Sequence, residues 1–274
     1  MSSSKRVSIA KYHSSIKWDV IKNLKLKDNS AVLDLAVGRG GDLFKYTSRS
    51  VDLILGIDID AGAVVEAQER WDKKPNPKVT LRLLAEDAAS ENVPSWIRKT
   101  TRRKFNLTVC NFAIHYFFKD KTKLSALVDT MAKHTKKGGF VWITCPDGGS
   151  LLRLLKGKKQ ISTPAYSLKL ISSSSPPTNA TSCYGQAIEY KLNKTRYFTK
   201  AKPGEVIMSN QGVSYEYLVD IPELMTVMKK NGFESISSDH FSSWEKTFPK
   251  ISKQMKRYEK EISFANISLV FRKV

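Results

Sequence analysis

The stretch Val32–Tyr46, VLDLAVGRGGDLFKY, runs an apolar strand straight into a glycine-rich turn, with one acid, Asp34, inside the strand. Four further apolar runs follow: VDLILGIDI, VTLRLLA, FNLTVCNFAIHYF and FVWITCP. Between them lie the helical patterns AGAVVEAQERWDKK and KLSALVDTMAKHTKKGG, the second closed by Gly138 as a C-terminal cap. Such alternation predicts an α/β fold with a mostly parallel, doubly wound sheet. Ligands of these sheets bind beyond the carboxyl ends of the strands, where the turns gather.

After Pro146 the texture changes. Strands are expected around Tyr166–Ile171 and Ala187–Leu192, separated by SSSSPPTNATS, which reads as a mobile loop. Residues 148–208 are therefore expected to form an antiparallel flap inserted over the loop end of the sheet. A helix follows with Pro222 in its first turn, Gly232 past its end, and Leu224, Val227 and Met228 inward. ISLVF reads as a closing strand. The expected organisation is one domain, 1–274: an N-terminal helical segment 1–30, a cofactor-binding core 31–147, the insertion 148–208, and the C-terminal part of the sheet, 209–274.

Three bulk properties narrow the function. The formal net charge is +20, spread along the whole chain, which favours a folded surface that meets a polyanion such as RNA. Cys110, Cys145 and Cys183 lie far apart without a C-x-x-C pair, so neither a disulfide framework nor a metal site is expected. No apolar run approaches the roughly 20 residues that span a bilayer, so no membrane partner is expected.

A dinucleotide fold calls for G-x-G-x-x-G at the first turn. Here the order is A-V-G-R-G-G-D, and Asp42 would set a negative charge beside the pyrophosphate. S-adenosylmethionine carries no phosphate; it offers a ribose diol, an adenine edge and a zwitterionic tail. Asp58 at the end of GIDID suits the diol, and Asp87 at the end of LLAED suits the adenine amino group. Asp34 can order the turn or meet the cofactor's ammonium. An acid after the second strand serves a nicotinamide cofactor equally, so that alternative stays open.

Beyond the fourth strand, NFAIHYFF offers Phe112, His115 and Tyr116. Aromatic faces can sandwich a base, and a histidine among them needs partners for both ring nitrogens. If the base is guanine, His115 can donate to O6, and a carboxylate must accept from N1–H and the 2-amino group. Glu216 is the candidate, with Glu223 its competitor. Cys145 in TCP invites comparison with cytosine methylation, but the second proline–cysteine motif is missing, so Cys145 is read as packing.

With YHSSIK, LDLAVGRGGDL, FAIHY and YEYLVDIPE in this order, the chain resembles the mRNA cap guanine-N7 methyltransferases over about Tyr12 to Phe271. The wording is most like the methyltransferase domains of capping enzymes from large cytoplasmic DNA viruses. The resemblance implies a class I, Rossmann-like, S-adenosylmethionine-dependent fold. It implies that Lys17 meets the cofactor's carboxylate beside Asp34, Ala36 and Gly38, that Asp58 holds the ribose and Asp87 the adenine, and that Phe112 adjoins both sites. Arg39 and Arg70 fall to the cap phosphates, Asp42 and Lys45 to the substrate side beside them; Phe112, His115, Tyr116 and Glu216 fall to the guanine. No residue acts by direct chemistry: His115, Tyr116 and Glu216 orient the base.

The resemblance also implies a partner, the capped 5′ end of mRNA, and a setting, the cytoplasm for a viral chain or the nucleus for a cellular one. Triphosphatase and guanylyltransferase domains on a longer chain, or a stimulatory subunit, would fit beside it. Three departures stand out. Ala36-Val37 replaces Gly-Cys, which implies ordinary backbone angles at Ala36 and reshaped cofactor binding. Ser14 replaces an asparagine. Ser268 replaces a tyrosine over the cap, a wall for which Tyr215 or Phe264 could substitute. The rivals are a methyltransferase for another RNA base or a protein, and a non-catalytic RNA-binding subunit.

Overall fold

A computed structural model describes residues 8–48, 51–171, 184–192 and 213–274. The expected SSSSPPTNATS loop, Cys183 and the boundary at 208 lie outside these residues. Eleven strands are present among them: β1 (Ser30–Asp34), β2 (Val51–Asp58), β3 (Thr80–Ala85), β4 (Phe105–Asn111), β5 (Thr135–Pro146), β6 (Gln160–Ser162), β7 (Tyr166–Leu170), β8 (Ala187–Leu192), β9 (Val213–Tyr217), β10 (Phe233–His240) and β11 (Asn266–Lys273).

Seven form the main sheet, in the order β10-β11-β5-β4-β1-β2-β3. Strands β1 to β5 run parallel, and β11 is antiparallel to both β5 and β10. Every residue of β1 is buried, as a strand covered on both faces requires. Alternation sorts the core into two layers: Val32 and Trp142 join one, with Tyr12, Ile16 and Tyr46; Leu33 and Val141 join the other, with Leu127 and Met131. The helix Ser8–Asn23 covers the first layer.

Aspartates start the helices that leave the carboxyl ends of β2 and β5. The Asp60 side chain accepts from the N–H groups of Gly62 and Ala63 to open Ala61–Asp72, and Asp147 accepts from Gly149 and Ser150 to open Gly148–Leu155. Asp120 and Asp220 cap Lys121–His134 and Ile221–Lys230 in the same way. Leu224, Val227 and Met228 are buried as expected, and Gly232 follows their helix with φ of +76°.

Two expectations need correction. Gly138 does not cap the helix of KLSALVDTMAKH: that helix ends at His134 and β5 begins at the next residue. Its φ of +73° instead serves a bulge, because Phe105 pairs with Thr135 while Leu107 pairs with Phe140. The flap also extends beyond residue 208. Its sheet, β6-β7-β8-β9, takes in Val213–Tyr217 and brings Ile188 opposite Glu216. No helix among the described residues is long and apolar enough to cross a membrane.

The glycine turn is set by its neighbours on β1 and β2. Asp34, 3% exposed, accepts from the Ala36 N–H at 3.1 Å and the Tyr46 hydroxyl at 2.7 Å. Val37 N–H reaches the Ile57 carbonyl at 2.9 Å. Gly40 has φ of +69°, and a Cβ there would lie 2.8 Å from Leu43 Cδ1 and 3.1 Å from Ala67 Cβ. Gly40→Ala is therefore expected to lower the unfolding free energy by about 1–3 kcal/mol in denaturant melts.

Burial pushes the Asp34 carboxyl up to about 7; the Tyr46 hydrogen bond offsets part of this and Asp42 adds to it. A folded value above the unfolded one means that Asp34 favours folding most fully below its ordinary value of 3.8, and that this contribution is lost as pH rises through about 7. Asp34→Asn removes the titration. Between pH 5 and 8 its stability relative to the wild type should rise by roughly 2 kcal/mol, whereas parallel pH curves would contradict this assignment.

Candidate active-site cleft

The glycine turn divides the expected site residues into two groups. On one side, Gly38 donates its N–H to Asp58 Oδ2 at 2.7 Å, and Asp58 Oδ1 accepts from the Asp60 N–H at 3.1 Å. Burial raises the Asp58 carboxyl despite these donors. Asp87, two residues beyond β3, accepts from the Ala89 N–H at 2.9 Å and from Lys123 Nζ at 2.7 Å. Burial pushes its carboxyl up, but Lys123 and Ala89 outweigh that and leave it below the ordinary range.

Ala36 keeps a negative φ, as its side chain requires, while Gly38 has φ of +50°. A Cβ at Gly38 would meet nothing nearer than Asp58 Oδ2 at 4.0 Å, so the turn leaves room for close approach at the end of β2. Two carboxylates at adjacent strand ends beside an open glycine turn suit a ribose diol and an adenine amino group. These residues fit S-adenosylmethionine. Asp34 orders the turn, bonded within the protein to Ala36 and Tyr46.

On the other side lies a cleft of about 650 Å³. Part of it is lined by Phe112, His115, Tyr116 and Glu216, brought from the residue after β4, the helical turn Ile114–Phe117 and β9. Phe112 has φ of +55°, and its N–H donates to the Thr144 carbonyl at 2.7 Å, which ends β4 and swings the next residues into the cleft. His115 is 4% exposed, and neither ring nitrogen has a hydrogen-bond partner among the described residues. Its Nε2 lies 3.8 Å from Glu216 Oε2. Burial pushes the imidazole down, and Glu216 offsets only part of that. Glu216 Oε1 accepts from the Ser214 hydroxyl at 2.7 Å. The competitor Glu223 lies elsewhere, accepting from the Tyr184 hydroxyl at 2.8 Å.

Lys17, Asp42, Lys45 and Arg70 line the remainder of the cleft. Lys17 meets Asp42 Oδ2 at 2.6 Å, and Lys45 meets Asp42 Oδ1 at 2.9 Å. Burial favours a neutral Asp42 carboxyl, but the two ammonium groups overcome it and hold the acid ionised. Arg39 lies outside the cleft and pairs with Glu66 at 3.1 Å.

The missing wall does not come from either expected substitute. Tyr215 is 63% exposed and does not line the cleft; Phe264 packs against Tyr12, ring centroids 6.1 Å apart. Ser268 is buried in β11, accepting from Trp142 Nε1 at 3.0 Å. Tyr190 and Leu192 of β8 and Asn266 of β11 line the cleft instead. A period of two in AIEYKL puts Ile188, Tyr190 and Leu192 on the face of Glu216, a signal present in the sequence once β8 and β9 are paired. His13 was also missed: its ring stacks on Phe112 at 5.6 Å and it bonds Ser263 at 2.9 Å, with burial holding the imidazole down to about 3. Cys145 is fully buried and burial pushes its thiol far up, as packing requires.

Solved structures share this architecture. An S-adenosylmethionine-dependent methyltransferase from Clostridium acetobutylicum superposes with a TM-score of 0.60 at 15% identity, covering 96% of this chain and 91% of that one. The CcbJ methyltransferase of Streptomyces caelestis gives 0.60 at 13% identity, covering 96% of each. The fold is that of the class I methyltransferases. In sequence, the chain is 24% identical to the mRNA cap guanine-N(7) methyltransferase of Drosophila melanogaster, over 87% of this chain and 53% of that protein. It is 25% identical to that of Saccharomyces cerevisiae over the same shares. A probable mRNA-capping enzyme of Acanthamoeba polyphaga mimivirus is 27% identical over 78% of this chain and 20% of that protein. The chain thus spans about half the length, or less, of these curated relatives. The family described as the mRNA (guanine-N(7))-methyltransferase domain matches residues 2–266, and the chain belongs to that family.

Proposed function

We propose that this chain transfers the methyl group of S-adenosylmethionine to N7 of the guanine cap at the 5′ end of mRNA. The observation that carries this reading is the buried His115 ring, without a hydrogen-bond partner among the described residues, facing the Glu216 carboxylate inside a cleft that also presents Lys17, Lys45 and Arg70. A neutral imidazole can donate to guanine O6 while the carboxylate accepts from N1–H and the 2-amino group. Adenine presents an acceptor at N1 and is refused. Phe112 and Tyr116 supply aromatic surface, and Lys17, Lys45 and Arg70 supply charge for the phosphates.

When bound, S-adenosylmethionine supplies a methyl group on a positively charged sulfur. This reading gives its ribose to Asp58, its adenine to Asp87, and its tail to the turn at Ala36 and Gly38. Guanine N7 carries an exposed lone pair at neutral pH, so no side chain must remove a proton. The protein's task is orientation, which in favourable cases is worth roughly 7–11 kcal/mol. Glu216 adds a negative charge beside a purine that becomes cationic during transfer. The reaction belongs where transcripts are capped, the cytoplasm for a viral chain and the nucleus for a cellular one.

Radiolabelled methyl transfer tests the reading directly. Label is expected on GpppA-capped RNA and not on triphosphate-ended RNA, and digestion should release 7-methylguanosine; label on another base would overturn it. Glu216→Gln should lower kcat/KM on capped RNA by about 10–100-fold, the worth of a hydrogen bond to a charged group. Calorimetry should find its S-adenosylhomocysteine affinity unchanged, and a loss of that heat would mean Glu216 serves the cofactor instead.

A further inference from the structure

The helix Ser8–Asn23 already has a buried face, where Tyr12 and Ile16 are fully enclosed. Trp18 does not belong to it. The residue is 40% exposed, and it lines the cleft together with Lys45 and Arg70. A large apolar side chain in a charged cleft is poorly explained by packing, and aromatic residues among cations are how proteins hold unpaired bases.

Its place along the cleft is fixed by a chain of contacts. Lys17 Nζ lies 5.8 Å from the Phe112 ring centre, at the end that holds His115 and Glu216. Lys17 shares Asp42 with Lys45. Lys45 Nζ in turn lies 5.9 Å from the Trp18 ring centre. The sequence Phe112, Lys17, Asp42, Lys45, Trp18 thus runs from aromatic pocket through cations to a second aromatic surface. A guanine at the first, followed by a triphosphate along the lysines, delivers the next nucleoside to the second.

We propose that Trp18 is a stacking platform for the base of the first nucleotide after the cap triphosphate. The subsite rests on the cap reading above. Stacking ignores the hydrogen-bonding edges of a base, so the platform takes any base and holds purines more tightly than pyrimidines because of their larger rings. Lys45 lies beside the ring, and Arg70 is exposed at the same part of the cleft, where a phosphodiester would follow.

Methyl-transfer kinetics on two substrates test it: GpppA, and the same compound with the second base removed to leave an abasic ribose. With wild-type protein the abasic compound is expected to show a KM about tenfold higher, the usual size of one base stacked on an aromatic ring. In Trp18→Ala the ratio of the two KM values should collapse to near one, and in Trp18→Phe most of it should return. Equal KM values for the two compounds with wild-type protein would overturn the subsite while leaving the cap reading intact. A ratio unchanged in Trp18→Ala would do the same. Turnover on neither compound would overturn the cap reading and the subsite with it. The wild-type comparison needs no variant, so a failure of Trp18→Ala to fold does not protect the proposal.

Discussion

A single carboxylate, Asp42, ties the cleft together. It receives Lys17 from the N-terminal helix at 2.6 Å, Lys45 from the turn of helix beyond it at 2.9 Å, and Asn111 from the end of β4 at 3.4 Å. Two ammonium groups this close would repel one another strongly in a protein interior, where the effective dielectric is low. The acid between them makes their approach possible, and with both lysines present it stays ionised despite burial. Breaking such a cluster by removing one member leaves an unbalanced buried charge, which costs far more than the intact cluster contributes. The apolar face of the N-terminal helix docks it over the sheet, and this cluster joins that helix to the glycine turn and to the end of β4 across the cleft.

The same turn keeps two chemistries apart. Acids, Asp34 and Asp58, stand on its strand side, and the lysines stand on its helix side, with Asp42 at the border. Gly38 faces Asp58 and Gly41 faces the cleft. Because the turn is thin at both glycines, ligands on its two sides can come close, which a transfer between them requires. A residue with a side chain at Gly40 would thicken the turn and push on Leu43 and Ala67.

Much of this was legible in the sequence, for identifiable reasons. The parallel strands are buried on both faces, so they read as continuous apolar runs, and the aspartates at their ends had few other places to be. Pro222 and Gly232 marked a helix because proline and glycine have narrow conformational preferences there. Gly138 misled because a positive φ serves a bulge as well as a helix cap. The ion pair of Lys17 with Asp42 was not legible, because it depends on how the N-terminal helix docks, which no local pattern encodes. Tyr190, Leu192 and Asn266 were missed for the same reason: they lie far apart in the chain and meet only when the flap folds over the main sheet. Glu216 and Glu223 stood as competitors in the sequence, because VSYEYLVDIPE offers both carboxylates; the fold separates them by setting Glu216 in the cleft and Glu223 against Tyr184.

The charge state of His115 follows from where the fold puts it. Glu216 nearby favours an imidazolium, but burial outweighs that and keeps the ring neutral at ordinary pH. For the proposed reaction neutrality is the useful state. A cationic ring would stand beside a purine that itself becomes positive as N7 accepts the methyl group, and the repulsion would grow toward the transition state. A neutral ring still donates one N–H to the base and adds no such penalty, while the Glu216 carboxylate interacts more favourably as the charge develops. Burial, which costs the protein two unpaired ring nitrogens in the absence of a base, is thus what lets one acid and one imidazole act on the purine in the same direction.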